Sequence, residues 1–125
     1  MSTRAGNLIF LMEDDEDIAR LVAHRLEGSG FQVHLPDRPS SLIRDAEKDQ
    51  PVVFILDLML PEVDGFQLCC RIREHETLKK IPILILTART EAADRKRAME
   101  SGADVYMTKP FKLSELIAAV RMLRG

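Results

Sequence analysis

Five short apolar runs recur along the chain, each followed by a stretch with helical character, and this alternation limits the fold more than any other feature. The runs are Leu8–Met12 (LIFLM), Phe31–Leu35, Val52–Leu56 (VVFIL), Ile83–Leu86 and Asp104–Thr108. A strand covered by helices on both faces reads as a continuous apolar run, because neither face meets water. Runs one, three and four have that character and belong at the centre of a sheet. Run two alternates Phe31, Val33 and Leu35 with Gln32 and His34, and run five sets Val105 and Met107 around Tyr106, so both belong at edges. Between the runs, Ile18, Leu21, Val22 and Leu26 form one helical stripe; Leu113, Leu116, Ile117, Val120 and Leu123 form a cleaner one. Gly28, Gly30 and Gly102 mark helix ends, and Ser114 lies near the start of the last helix. This repetition predicts an α/β fold, a parallel sheet with right-handed crossovers and helices on both faces. The expected strand order is 2-1-3-4-5, a doubly wound (βα)5 three-layer arrangement with its switch point between strands one and three. The fourth helical segment, Thr90–Ser101 (TEAADRKRAMES), is the weak one. Its only large apolar residue is Met99, so it buries little and reads as a solvated helix of low local stability.

A length of 125 residues predicts a single domain, 1–125, large enough for a proper core. With 46% hydrophobic and 30% charged residues the chain is not disordered, and a net charge of −2 gives no electrostatic reason for direct nucleic-acid binding. No apolar run approaches the roughly 20 residues that span a bilayer, and MSTRAGN lacks the apolar core of a signal peptide. A cytoplasmic location with no membrane contact is the expectation. Cys69 and Cys70 are adjacent in a helical segment, where a mutual disulfide is strained, and no histidine lies near a cysteine pair. They read as reduced thiols, and zinc is not expected.

Charged residues stand where these runs stop. Glu13 and Asp14 follow run one, Asp57 follows run three, and Lys109 comes just after run five. In a parallel sheet these ends meet at one edge, the place where sites form in open α/β folds. Three carboxylates there repel one another unless a cation joins them, and hard oxygen ligands suit Mg²⁺, with Mn²⁺ able to substitute. A lysine facing them leaves a site ready for a metal and then a phosphoryl group.

Four segments, LIFLMEDDEDI, ILDLMLPEVDGF, ILILTA and GADVYMTKPF, occur in order, each at a strand's carboxyl end. With them the chain resembles the receiver domain of two-component response regulators over essentially its whole length. The resemblance implies a flavodoxin-like fold and a phosphoacceptor at Asp57. It implies Asp14 as direct metal ligand, Glu13 acting through a metal-bound water, and the backbone carbonyl of Met59 completing the protein's share of the metal sphere. Asp15, Glu16 and Asp17 serve the helix N-terminus that follows. Thr87 matches the hydroxyl that bonds the phosphoryl group, and Ala88 leaves room for its oxygens. Lys109 matches the phosphate-pairing lysine, before a cis bond to Pro110. Tyr106, the only tyrosine, matches a rotating aromatic switch; it also reads as an amphipathic edge residue with its hydroxyl in water. Pro61 and Gly65 match the turn after the acceptor, whereas Phe66, Leu68, Cys69 and Ile72 are core contacts.

The implied function is a switch. A histidine kinase or phosphotransfer protein supplies a phosphohistidine, Asp57 takes the phosphoryl group, and the surface of helix four, strand five and helix five changes to control an output domain or partner. The chain catalyses only its own phosphorylation and dephosphorylation. Met59 and Arg89, two positions beyond Asp57 and Thr87, flank the site; neither orients an attacking water well, which predicts a persistent phosphorylated state. Homodimerisation through the helix four–strand five–helix five face is open. Winged-helix regulators often carry a second acid before the switch aromatic and an arginine within helix five, where this chain has Val105 and Ala118–Ala119. An aspartyl-phosphate hydrolase of the dehalogenase type requires a second carboxylate where Met59 stands. A flavin mononucleotide carrier is excluded because Glu13 and Asp14 repel a phosphate at the first loop. The remaining alternative is a degenerate receiver acting only as an interaction module.

Overall fold

The computed structural model describes residues 6–125; most of the opening MSTRAGN lies outside them. Ten elements alternate strictly: β1 (Leu8–Met12), α1 (Glu16–Gly28), β2 (Gln32–His34), α2 (Pro39–Asp49), β3 (Val53–Leu56), α3 (Gly65–Glu74), β4 (Ile83–Thr87), α4 (Ala92–Glu100), β5 (Val105–Thr108) and α5 (Leu113–Arg124). The strands form one parallel sheet in the order β2-β1-β3-β4-β5. Every residue of β1, β3 and β4 is buried, whereas β2 and β5 are partly open edges.

Two apolar layers sandwich the sheet, and the period of two along each strand decides which residue enters which. Leu8, Phe10, Phe54, Leu56, Ile83 and Ile85 face Leu42 and Ala46 of α2, Leu68, Cys69 and Ile72 of α3, and Ala98 of α4. Ile9, Leu11, Val53, Ile55, Leu84 and Leu86 face Val22 and Leu26 of α1 and Leu116, Ile117 and Val120 of α5. Phe31 is buried but lies just before β2, whose paired residues stop at His34, so this edge strand is shorter than its sequence pattern suggests. Cys69 is buried and Cys70 exposed, both free.

Helix α4 is shorter than the Thr90–Ser101 segment and buries as little as its sequence suggests. It starts at Ala92 without a side-chain cap, and the residue it buries is Ala98, while Met99 stays 41% exposed. Helical phase, set by α4's approach to β5, places the small residue inward, close against the sheet. Its end is pinned instead. Gly102 at φ 114° turns the chain, and a Cβ there would lie 2.4 Å from the Arg73 Cγ. Arg73 of α3 donates from Nε to the Gly102 carbonyl (3.0 Å) and from Nη1 to the carbonyls of Ile81 (2.7 Å) and Lys79 (3.2 Å). Its Nη2 meets Asp104 Oδ2 at 2.8 Å, and that oxygen also accepts the Ile83 amide at 2.8 Å. This cluster ties α3 to the starts of β4 and β5.

Candidate functional site

Strand register assembles the opposite edge. Met12 pairs with Leu56, and the Asp57 amide donates to the Met12 carbonyl at 3.0 Å, so the residues leaving β1 and β3 are neighbours. Thr87 pairs with Thr108, and the Lys109 amide donates to the Thr87 carbonyl at 2.8 Å, which aligns the exits of β4 and β5. The Lys109–Pro110 peptide is cis. Lys109 Nζ lies 2.6 Å from Glu13 Oε1 and 2.9 Å from Asp57 Oδ2. The Glu13 and Asp57 side chains are only 2% and 7% exposed. Asp57 Oδ1 accepts the Met59 amide at 3.1 Å, and Glu13 Oε2 accepts the Asp15 amide at 3.0 Å. The Lys109 contact to Glu13 Oε1 is an ion pair without the direction of a hydrogen bond, so this buried oxygen keeps acceptor capacity.

The three charges differ in how firmly they are held. Burial pushes the Glu13 carboxyl above its ordinary pKa; Lys109 and the Asp15 amide oppose this and the Asp57 charge adds to it. Burial also acts against ionised Asp57, but the Lys109 and Met59 hydrogen bonds and the ammonium charge outweigh it, leaving Asp57 below the usual aspartate value. For Lys109, burial opposes the charge and the two carboxylates overcome it, raising its pKa. Asp57 and Lys109 therefore support each other's charge, whereas burial works against the charge on Glu13.

The remaining candidates lie around this pair. Asp14 is exposed at the mouth, where it lines clefts on either side. Glu13, Asp14, Asp57 and the Met59 carbonyl supply only oxygen donors, and Glu13 Oε1, though ion-paired with Lys109, has lone pairs left for a divalent cation, so the set fits Mg²⁺. Among the described residues no three metal-type side chains converge on one point; Glu13 and Asp57 both face the ammonium. Thr87 is fully buried, its Oγ1 accepting the Arg89 amide at 3.4 Å, and Ala88 is exposed beside it. Met59 is 53% exposed and shares a cleft of about 590 Å³ with Asp64, Phe66, Arg89 and Arg97. Asp15 caps α1 by accepting the amides of Asp17 and Ile18 at 2.9 and 3.1 Å.

Tyr106 is not the half-wet edge residue that its alternating strand suggested. It is 6% exposed, and its hydroxyl donates to the Arg89 carbonyl at 2.9 Å instead of meeting water. Burial pushes its phenol pKa up, with Asp94 adding to the shift. The Arg95 guanidinium lies 5.3 Å from the ring centroid, and its Nη2 donates to the Tyr106 carbonyl at 3.3 Å. Sequence reading missed Arg95, Arg73 and Asp104. The first looks like one more cation on a polar helix; the available signal for the last was an acid at the start of a strand, two residues after a turn glycine.

A family model described as the response regulator receiver domain matches residues 9–121. The transcriptional regulatory protein GltR of Pseudomonas aeruginosa is 41% identical over 118 residues, which are 94% of this chain and 49% of GltR. The chain thus spans about half the length of the curated relatives it matches. A crystal structure described as a response regulator from Chloroflexus aurantiacus superposes with a TM-score of 0.89 at 31% identity, covering 94% of this chain and 97% of that one. The receiver domain of the sensor histidine kinase PA1611 from Pseudomonas aeruginosa, which has magnesium coordinated in its active site cleft, gives 0.87 at 30% identity over 96% and 98% of the two chains. Strand order, a charged carboxyl edge and these similarities agree: the chain belongs to the receiver domain family of two-component response regulators.

Proposed function

We propose that the chain is a phosphorylation-driven switch in which Asp57 accepts a phosphoryl group from a phosphohistidine of a histidine kinase or phosphotransfer protein. The observation that carries this reading is the setting of Asp57: buried, and paired through Oδ2 at 2.9 Å with an ammonium that can turn to a phosphoryl oxygen instead. In the transfer, an Asp57 oxygen forms the new bond to phosphorus as the P–N bond to the donor imidazole breaks. Glu13, Asp14, Asp57 and the Met59 carbonyl would hold Mg²⁺, which would supply charge neutralisation between carboxylate and phosphoryl group. Lys109 then moves its charge onto a phosphoryl oxygen, Thr87 exchanges its weak bond with the Arg89 amide for one to the phosphoryl group, and Ala88 leaves room. Tyr106 responds through the Arg89 carbonyl it already holds, which carries the change to the face of α4, β5 and α5.

Residues 1–125 act in this reading as one receiver unit, a signalling element whose only chemistry is its own phosphorylation and dephosphorylation. An apolar hollow of Ile18, Leu21, Pro110, Phe111 and Leu113 opens beside Lys109 and suits an apolar stripe on the donor protein. No helix among the described residues is long and apolar enough to cross a membrane, and we place the reaction in the cytoplasm. GltR is a transcriptional regulatory protein about twice this length, so a gene-regulatory output domain or partner is the proposed target. Self-association through the α4–β5–α5 face is a further part of the proposal.

Incubation with acetyl phosphate and Mg²⁺, followed by intact mass, tests the reading. One added phosphoryl group is expected, absent in Asp57→Asn. An unchanged wild-type mass favours the interaction-module alternative.

A further inference from the structure

Arg95 has no part in the chemistry above, yet its geometry is specific. It stands on the first turns of α4, the helix with the least buried surface, and reaches β5 with two contacts on a single residue. The guanidinium covers the ring of Tyr106 at 5.3 Å, and Nη2 bonds that residue's carbonyl at 3.3 Å. Its neighbours are otherwise engaged: Arg89 pairs with Asp94 at 3.3 Å, while Arg97 lies over Phe66 at 4.0 Å and meets Asp64 at 3.4 Å. A cation over an aromatic face is attracted by the ring quadrupole, and the ring loses that attraction when it swings away. The hydroxyl end of the same ring is held by the Arg89 carbonyl. The seat of Tyr106 thus has two independent fastenings, one at the loop after β4 and one on α4.

We propose that Arg95 is a positioning residue for Tyr106: lying over the ring and bonded to its carbonyl, it holds the aromatic side chain in its buried seat. This deepens the switch reading, since it makes α4 a second input to the ring's position, independent of the phosphoryl group. Without Arg95 the ratio of seated to unseated ring falls by roughly fivefold, the scale of one cation–π contact, while the bond to the Tyr106 carbonyl serves to hold the guanidinium over the ring.

Tyr106 is the chain's only tyrosine and there is no tryptophan, so its fluorescence reports this one ring. The experiment is acrylamide quenching of wild type, Arg95→Ala, Arg95→Lys and Lys96→Ala, with melting curves alongside. Arg95→Ala should raise the quenching constant about twofold, Arg95→Lys should recover part of the protection, and Lys96→Ala should match wild type. Equal quenching in Arg95→Ala and wild type overturns the proposal. So does an equal rise in Lys96→Ala, which would mean that α4 has merely loosened. Wild type with Mg²⁺ and beryllofluoride forms a separate arm. A Tyr106 signal unmoved there counts against the ring as the moving part, while Arg95's hold on it is still judged by the first comparison.

Discussion

At the amino-terminal edge of the sheet, Arg73 is engaged by three backbone carbonyls and one carboxylate; at the carboxyl edge, Lys109 is shared between two carboxylate side chains. Both cations are largely covered. Carbonyls of folded backbone are neutral and fixed, so nothing competes for Arg73 and no alternative position is open to it. The Glu13 and Asp57 carboxylates repel each other, and an incoming anion offers Lys109 a further partner. A covered cation saturated by backbone is a structural pin, and one divided between two acids is a replaceable part.

The largest effect should come from the pin. Arg73→Ala leaves partly buried carbonyls without donors and should cost about 2–4 kcal/mol. The urea midpoint should fall with little change in slope, while protein that remains folded still takes up a phosphoryl group. A loss under about 1 kcal/mol would remove the contrast between the two edges.

Lys109→Ala should cost less, about 1–2 kcal/mol in chelator at pH 7, because removing the 15% exposed lysine side chain lets water reach the two carboxylates it covered. Mg²⁺ should restore part of the stability but not the response to phosphorylation. If this variant loses more than Arg73→Ala, the comparison is reversed.

Glu13→Gln should stabilise the fold in chelator, by under about 1 kcal/mol at pH 7. The Glu13 pKa is raised in the fold, so its contribution is full below the unfolded value near 4.5 and is lost as pH rises through the folded one. The variant escapes that loss, and its advantage should vanish as the pH drops below about 4.5. A pH-independent difference in denaturant midpoints would show that burial does not govern Glu13.

The smallest effect concerns the mouth of the carboxyl edge. Met59 is half exposed and Arg89 is drawn to Asp94 at 3.3 Å, so neither offers an acceptor to an attacking water. Met59→Asn with Arg89→Glu should speed decay of the phosphorylated protein about threefold, roughly 0.7 kcal/mol in barrier. Decay is followed after donor removal with Mg²⁺ saturating; equal rates would exclude these two positions as the timer.

The carboxyl edge was legible because its residues stand at the ends of apolar runs, so strand order alone brings them together. The amino edge was not. Arg73 finds its acceptors on loops reached through tertiary folding, and a backbone carbonyl leaves no trace in residue identity. Similarly, hydrophobicity singles out Met99 in α4, but the register of that helix on the sheet selects Ala98. Tyr106 shows the same limit: alternation along β5 marks an edge residue, and only the loop after β4 and the arginine on α4 close over it.

Gly65 has a consequence for where motion can go. A side chain at that position would put its Cβ 2.5 Å from the Leu58 Cα, so the start of α3 is pressed against the segment leaving Asp57. That segment is further tied by the Gly65 amide to the Leu58 carbonyl at 3.2 Å, by the bridge between Met59 and Asp64, and by the Asp64 cap on Phe66 at 2.9 Å. One bank of the site is thus braced. The opposite bank, from Ala88 to the uncapped start of α4, is held chiefly by contacts that reach it from Thr87, Asp94 and Tyr106. A push originating at Asp57 cannot spread evenly; it is channelled toward the yielding side.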